Sequence, residues 1–238
     1  MQARSERSRR RLVRAAAEMF DAHGYADATL GRIAQAAGMT KGALYFHFGS
    51  KDGLADAVQE QGHELLRRQV RALDAAGTPP VQGLIDLTHR LARGLREDPV
   101  VRAGFRITVE CAGRRPPVAD LHAAWVREAA RLLERAREAG RLRDGVGDDG
   151  PRALLAAVVC GISGAWGAGL STAELASRVA ALWATLLPAL VPPGEQERYR
   201  TQAPSGARGR RGAGAGADGG ADGGAGRGAG TREARSAA

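Results

Sequence analysis

The sequence predicts an all-α protein, and three observations lead to that prediction. Apolar residues recur at spacings of three and four along most of the 238-residue chain, as they do on one face of a helix. Serine, threonine or aspartate precedes several of these segments, and glycine follows them, which is typical of helix ends. The one candidate strand, LYFHF at residues 44–48, stands among helical segments and would have no partner strand.

Four helices are predicted before the sequence GTPP. The first has an apolar stripe that ends at Gly24. Two short segments follow, LGRIAQAA and KGALYFHF, which Thr29 and Thr40 can cap. Ser50 can cap a fourth, longer helix with its own apolar stripe.

Longer helices with larger apolar faces are predicted beyond the two prolines of GTPP. Each has an identifiable start, which is an Asp-Pro pair, a proline or a Ser-x-x-Glu capping box. In the last helix, apolar residues follow a spacing of four, three, four and four. We expect these helices from Asp98 to Val109, from about Val118 to Ala139, from Pro151, and from Ser171 onward.

The C-terminal end has a different composition. Glycine and alanine fill 23 of the 38 positions from 201 to 238, and alanine is the only apolar type there. Such a segment cannot bury enough surface to offset the entropy lost on ordering. We therefore expect a disordered tail, which we begin at residue 196.

The net charge of +9 favours an anionic partner, and nucleic acid is the leading candidate. Most of the excess lies in the first 51 residues, with nine basic and four acidic side chains, and in the tail from residue 201, with six and three. The basic arm expected ahead of the first helix either follows a minor groove or is a solvated run of charge. Its arginines are Arg4, Arg7, Arg9, Arg10, Arg11 and Arg14.

Other classes of function lack their usual signals in the sequence. The two cysteines, Cys111 and Cys160, lie far apart without the spacing of a metal site or a disulfide framework. The histidines are scattered, without a nucleophile or a carboxylate pair at useful spacing. The apolar stretch at residues 153–170 is better explained as a buried helix than as a membrane span. We expect a cytoplasmic protein that is not an enzyme and needs no metal or cofactor.

Two short helices separated by a glycine turn predict a helix-turn-helix unit, whose second helix enters the major groove of DNA. Lys41 can reach guanine O6 and N7 or a phosphate, and Gly42 allows a close backbone approach. Tyr45 and His47 offer polar groups to phosphate oxygens. A buried aromatic cluster is the alternative for YFHF, but the caps, the turn and the basic neighbours all favour DNA binding.

The segment ATLGRIAQAAGMTKGALYFHFGSKDGLADAV, with its T-x-G-x-L-Y-x-H-F-x-S-K core, resembles the DNA-binding domain of TetR-type transcriptional regulators. The resemblance covers residues 8 to about 60. It implies a homodimer in which residues 1–50 form the DNA-binding domain, 51–76 a connector helix, 77–195 a ligand-binding and dimerisation domain, and 196–238 the tail. The residues implied to face the operator are Thr40, Lys41, Gly42, Tyr45, His47 and Lys51.

A narrower resemblance concerns the γ-butyrolactone receptors, through KGALYFHF, DPVVRAGFRITVE and a tryptophan after PPVADLH. It implies that Trp125 lines the effector pocket, with Phe105 and Val109 as neighbours. The bundle of last helices known in the family implies a dimer interface. Its expected members are Leu175, Val179, Leu182, Trp183 and Leu186.

The expected function is therefore that of a repressor released from a pseudo-palindromic operator by a small lipophilic effector, a γ-butyrolactone in the first place. A TetR-type regulator that answers to an antibiotic or another drug-like metabolite is the alternative. A non-specific architectural DNA protein is disfavoured, because it would not need a large apolar C-terminal domain. Glycines at positions 161, 164 and 167 provide room either for a partner helix or for a ligand.

Overall fold

The computed structural model describes residues 2–112, 120–147 and 149–204. Within these ranges the chain forms α-helices, one short 3₁₀ helix and no strand, so the all-α prediction is confirmed. The 3₁₀ helix is Gln196–Arg198. The α-helices are α1 (Gln2–Asp27), α2 (Leu30–Ala36), α3 (Lys41–Phe48), α4 (Lys51–Ala75), α5 (Pro80–Glu97), α6 (Pro99–Glu110), α7 (Leu121–Glu138), α8 (Asp149–Gly167) and α9 (Thr172–Leu190).

The caps predicted from the sequence are present. The side chains of Thr29, Thr40 and Ser50 each accept a hydrogen bond from a backbone N–H three residues further on. The side chain of Asp98 accepts one from the N–H of Val100, and the capping box that opens α9 is complete. These contacts satisfy backbone groups that the first turn of a helix leaves without an internal partner.

The basic segment at the N-terminus differs from its prediction as an arm ahead of the first helix. Helix α1 already begins at Gln2, so the arginines from position 4 to 14 belong to it. Ion pairs of Arg10 with Glu6 and of Arg14 with Glu18, four residues apart, support these turns. The predicted end at Gly24 is a kink, with φ 82°, after which one more helical turn follows.

Two hydrophobic cores organise the described residues. Helices α1 to α3 and the first half of α4 form the first core, in which Leu12, Phe20, Ile33 and Leu44 have no exposed surface. The second half of α4 and helices α5, α7, α8 and α9 form the other. Helix α6 contributes to both cores, a packing arrangement that the order of the helices along the chain does not predict.

The chain does not lose its structure at residue 196, and this part of the tail prediction is wrong. The backbone of Arg200 exchanges two hydrogen bonds with the Gln82 side chain, at 2.9 and 3.1 Å. Its guanidinium pairs with Asp86 at 3.0 Å, and the His89 ring N–H donates to the carbonyl of Thr201 at 2.7 Å. Polar side chains on α5 thus anchor a segment whose composition is not apolar. Residues 205–238 lie outside the described ranges, as does the predicted start of α7 at Val118.

Residues Ala173–Leu190 of α9 are long and apolar enough to cross a membrane by length and composition, a criterion that core helices of soluble proteins also meet. Within this stretch 33% is buried. The exposed remainder consists mostly of small side chains, so this helix has a surface that a second protein chain can cover. That the protein has no membrane partner stays a prediction.

The anchored segment predicts a specific dependence of stability on pH. Burial lowers the pKa of His89, and this outweighs the opposing effects of the Thr201 carbonyl and Asp86, while the nearby Arg200 and Arg93 lower it further. In the unfolded chain His89 binds a proton near pH ~6.5, whereas in the folded chain it does so only at a lower pH. Stability is therefore lost as the pH falls below ~6.5. We expect the melting temperature of the protein to fall more steeply between about pH 7 and pH 5 than that of His89→Gln, whose amide can still donate to Thr201. Equal slopes would contradict this role of His89.

Candidate nucleic-acid interface and ligand cleft

Helices α2 and α3 form the helix-turn-helix unit that the sequence predicts. The turn between them contains Gly38 at φ 61°, and the Met39 N–H donates to the Ala34 carbonyl at 2.9 Å. Ile33 and Leu44 are fully buried in the first core, where α2 packs against α1, and α3 against α2 and α4. The opposite side of α3 is left in solvent.

Most of the residues predicted to bind DNA come together on this solvent side of α3. Thr40, Lys41 and Gly42 are exposed at its first turn, Tyr45 is 48% exposed one turn further on, and His47 is half-buried. Among the described residues, a Cβ added to Gly42 would meet nothing closer than the Thr40 hydroxyl, at 3.9 Å. The packing of the chain itself therefore does not require a glycine here, and the open space is available to a DNA backbone or base.

Lys51, also predicted to face the operator, has a structural role as well. Its ammonium donates to the carbonyl of Ala26 at 2.8 Å and lies 4.5 Å from the centre of the Tyr25 ring. These contacts join the start of α4 to the end of α1. An ammonium has three donors, so the remaining ones can still reach a phosphate.

Phe46 is the residue of this face that the sequence analysis did not single out. It is 84% exposed, next to Tyr45, and its ring contacts the edge of the His47 ring with centroids 5.4 Å apart. The signal was available, because Phe46 is two residues from Leu44 and from Phe48 and so lies on the opposite side of the helix. Phe48 instead packs on the first core, beneath the Arg9 guanidinium.

A cleft of about 810 Å³ opens between α6, α7, α8 and the end of α1. Its apolar lining includes Phe105 and Val109, two of the predicted ligand residues, of which Val109 is 76% exposed. Thr108, His122 and Cys160 supply polar groups. Gly164 and Gly167 also line the cleft, and among the described residues no group from outside their own helical turn lies within 4 Å of the place where their Cβ atoms would be. These two glycines therefore contribute to the free volume for a ligand.

Trp125, the central residue of the predicted pocket, does not line this cleft. It is 2% exposed and packs in the second core, and its indole N–H has no hydrogen-bond partner among the described residues. A buried donor without a partner is uncommon and costly. A ligand that reached Trp125 would need to open the core between the cleft and its indole ring.

One wall of the cleft is the contact between α6 and the end of α1. The Arg102 guanidinium pairs with the Asp21 carboxylate at 2.7 Å, and Arg106 donates to the Asp21 carbonyl at 2.6 Å. Glu110 pairs with Arg106 and accepts the N–H of Tyr25, directly after the kink. Charge-assisted hydrogen bonds of this kind are directional, so they fix how α1 sits on α6.

Gln59 makes a second connection, between α4 and the ligand cleft. It is 1% exposed, and its amide donates to the Gly104 carbonyl at 3.0 Å and to the Thr108 hydroxyl at 3.2 Å. Its carbonyl accepts the N–H of Leu121 at 3.2 Å. A single buried side chain thus joins α4, α6 and α7.

The residues predicted for a dimer interface separate into two groups. Leu175 and Val179 are 3% exposed in the second core of the chain, whereas Leu182 and Leu186 are partly exposed. Trp183 has no exposed surface, and its indole donates to the Thr88 hydroxyl at 2.8 Å. Its predicted place at an interface is therefore wrong, because no part of its surface is left for a partner. It closes the core between α5 and α9.

Among the described residues, no group of three histidine, cysteine, aspartate or glutamate side chains is placed to hold a metal ion.

Comparisons with known proteins agree with the geometry. The family model described as bacterial regulatory proteins, tetR family, matches residues 12–58. The A-factor receptor protein of Streptomyces griseus is 33% identical over 195 residues, which are 81% of this chain and 67% of that protein. A γ-butyrolactone receptor described as ArpA-like superposes with a TM-score of 0.70 and 32% identity, over 83% of this chain and 95% of that one. The TetR family protein CprB from Streptomyces coelicolor, in complex with its operator sequence, gives 0.67 and 32% over the same shares.

We predict opposite effects for the replacement of an exposed and of a packed phenylalanine on α3. Phe46→Ala should weaken binding to the target DNA about tenfold, because an apolar ring in the major groove contacts thymine methyl groups. It should leave the melting temperature unchanged, since 84% of the side chain is already in solvent. Phe48→Ala is the control and should lower the melting temperature, because Phe48 packs on the first core.

The contact itself can be tested from the DNA side by fluorescence anisotropy at fixed salt. Replacing target thymines by deoxyuridine removes the methyl groups, which should weaken binding of the wild-type protein and leave Phe46→Ala unaffected. An equal loss for both proteins would show that Phe46 does not contact thymine.

Proposed function

The chain belongs to the TetR family of bacterial transcriptional regulators and is close to its γ-butyrolactone receptors, and from this premise we propose that it is a homodimeric repressor that a small lipophilic effector of the γ-butyrolactone class releases from its operator. The ArpA-like protein is named as a γ-butyrolactone receptor, and the Streptomyces griseus relative is named as the receptor of A-factor. The cytoplasm is the proposed location, because regulators of this kind act on chromosomal DNA.

The DNA-binding half of the proposal rests on the solvent side of α3. Two copies of this helix, related by a two-fold axis, would enter successive major grooves about 34 Å apart on a pseudo-palindromic operator. Lys41 would contact guanine or a phosphate there, and Tyr45 and His47 would contact the phosphate backbone. The arginines along α1 add attraction that does not depend on sequence.

The observation that carries the effector half is that the cleft reaches the α1–α6 contact. An effector with an apolar body would pack on Phe105 and Val109, and its polar groups would reach Thr108 and His122. The same molecule would then lie against Asp21 and Arg102, whose ion pair holds α1 in place. The effector would thus bind next to the ion pair that positions the DNA-binding helices.

Release requires that the effector favour one arrangement of the helices over the other. A displacement of α6 by the effector would move α1 through Asp21, and α4 through Gln59. The effector has to prefer the arrangement that does not bind DNA by a few kcal/mol if most of the protein is to leave the operator. An effector that binds both arrangements equally would leave transcription unchanged.

The dimer would form through the outer sides of α8 and α9. Small side chains such as Ala157, Ala181 and Ala184 are exposed there, and Leu154 is 36% exposed beside them. Exposed apolar surface of this kind favours association with another protein surface. Leu182 and Leu186, which are partly exposed on α9, remain the proposed interface leucines.

A gel-shift titration on the DNA upstream of the protein's own gene, at fixed salt and with random DNA as competitor, tests the function. We expect a specific shift that synthetic γ-butyrolactones abolish. A specific shift that ignores the lactones would favour the alternative effector, an antibiotic or another drug-like metabolite. Binding no stronger than to random DNA, on this and on other candidate operators, would contradict the repressor.

The place of the effector can be tested with a charge in the cleft. Val109→Glu should raise the lactone concentration needed for release by about tenfold or more, because a carboxylate in the cleft has to be desolvated when the effector binds. Operator affinity without lactone should stay the same, since 76% of Val109 is exposed and the fold does not depend on it. Ala72→Glu, on the exposed side of α4, is the control. Equal responses of the two variants would place the effector elsewhere.

A further inference from the structure

The cleft contains a cysteine that the proposed repressor does not use, next to His122, one of the polar groups offered to the effector. Cys160 on α8 is exposed, and its sulfur lies 3.0 Å from Nε2 of His122 on α7. Both residues line the cleft of about 810 Å³. The other cysteine of the chain, Cys111, is only 6% exposed and packs on the first core.

The pair has the geometry of a thiol and its base. With the ring proton on Nδ1, Nε2 of His122 accepts the S–H hydrogen, and the thiolate that results is the nucleophilic form. The ring of Phe105 meets the imidazole edge-on, with centroids 5.9 Å apart, and so restricts its orientation. The Ser163 hydroxyl donates to the Cys160 carbonyl at 2.9 Å, so it is bound to the backbone.

The surroundings decide which electrophile would fit. The cleft is lined mostly by apolar surface, including the Phe105 ring, Val109 and two glycines, and it has room for a molecule of small-ligand size. Arg102, Arg106 and Thr108 add polar groups to the same lining. A lipophilic molecule that carries a carbonyl group would pack on the apolar surface, and its oxygen would accept from one of these donors.

From this geometry we infer that Cys160 is a covalent attachment site for lipophilic α,β-unsaturated carbonyl compounds, with His122 as its base. His122 takes the thiol proton, and the sulfur forms a bond to the β-carbon of the electrophile. The electron pair of the C=C bond moves to the α-carbon, as the enolate, which then takes the proton back from His122. One carbon–sulfur bond forms, one π bond is lost, and neither an oxidant nor a leaving group is needed.

The thiol reaction requires no DNA, but its consequence for transcription rests on the proposed function. An adduct would occupy the cleft for as long as its carbon–sulfur bond persists, and it would prolong the release from the operator for that time. Measuring the labelling in the absence of DNA keeps the two proposals separate, because failure of the operator assay leaves the labelling result unchanged.

The test treats the full-length protein with 2-cyclohexen-1-one at about pH 7, where a free thiol is only a few per cent ionised, and follows adducts by intact mass and peptide mapping. We expect a single adduct at Cys160, formed about tenfold faster than on N-acetylcysteine. Cys111 is the internal reference and should stay unmodified. Cyclohexanone, which lacks the C=C bond, should give no adduct.

Two variants test whether the thiol reacts because His122 acts as its base or only because the thiol is exposed. His122→Gln should slow the reaction about tenfold, whereas His23→Gln, which removes an exposed histidine on α1, should not change it. Circular dichroism checks that both variants are folded. The comparison of the wild-type protein with N-acetylcysteine at one fixed pH needs no variant, so it holds even if a variant fails to fold. Reaction of Cys160 at the rate of free cysteine would overturn the inference.

Discussion

Helix α6 has two buried faces, and each lies in a different core. Val100, Ala103 and Ile107 pack with the DNA-binding helices, while Val101 and Phe105 pack with the helices around the cleft. A close-packed helix of this kind cannot yield on one side without a shift on the other. The Asp98 cap and Pro99 fix where α6 begins, so its twelve residues act as one unit between the two cores. The arrangement of the remaining helices depends on this shared element.

The charges on α6 extend the same constraint to the kink of α1. At Gly24 φ is 82°, a conformation that favours glycine, and an added Cβ would also displace the ends of the Arg106 and Glu110 side chains, which lie 2.8 Å from its position. Arg102 and Asp21, with side chains 20% and 25% exposed, form a pair that water screens only in part. The last turn of α1 is therefore held by α6, and through Lys51 it holds the start of α4. The position of the helix-turn-helix unit follows from these contacts.

Features that depend only on residues close together in the sequence, such as helix caps, could be predicted from it. Thr29, Thr40 and Ser50 are caps because a hydroxyl two or three residues ahead of a helical N–H satisfies it whatever surrounds the helix. The solvent side of α3 followed from helical spacing, although Phe46 was overlooked. Which apolar residues pack on which distant element could not be predicted from the sequence. Trp183 could pack on a partner or on α5, and only the fold brings Thr88 to its indole. The same holds for Arg200 on Asp86 and for the dual packing of α6, which are contacts between residues far apart in sequence.

The most direct measurement is the distance between the two DNA-binding units of the proposed dimer, with and without a γ-butyrolactone. Nitroxide labels on Gln35→Cys, an exposed α2 position, in a Cys160→Ser background, allow pulsed electron–electron double resonance in the absence of DNA. The account predicts a distance distribution that fits recognition helices about 34 Å apart without lactone, and a shifted distribution when lactone is bound. An unchanged distribution, with lactone binding verified by calorimetry, would contradict the transmission of the effector signal through α6.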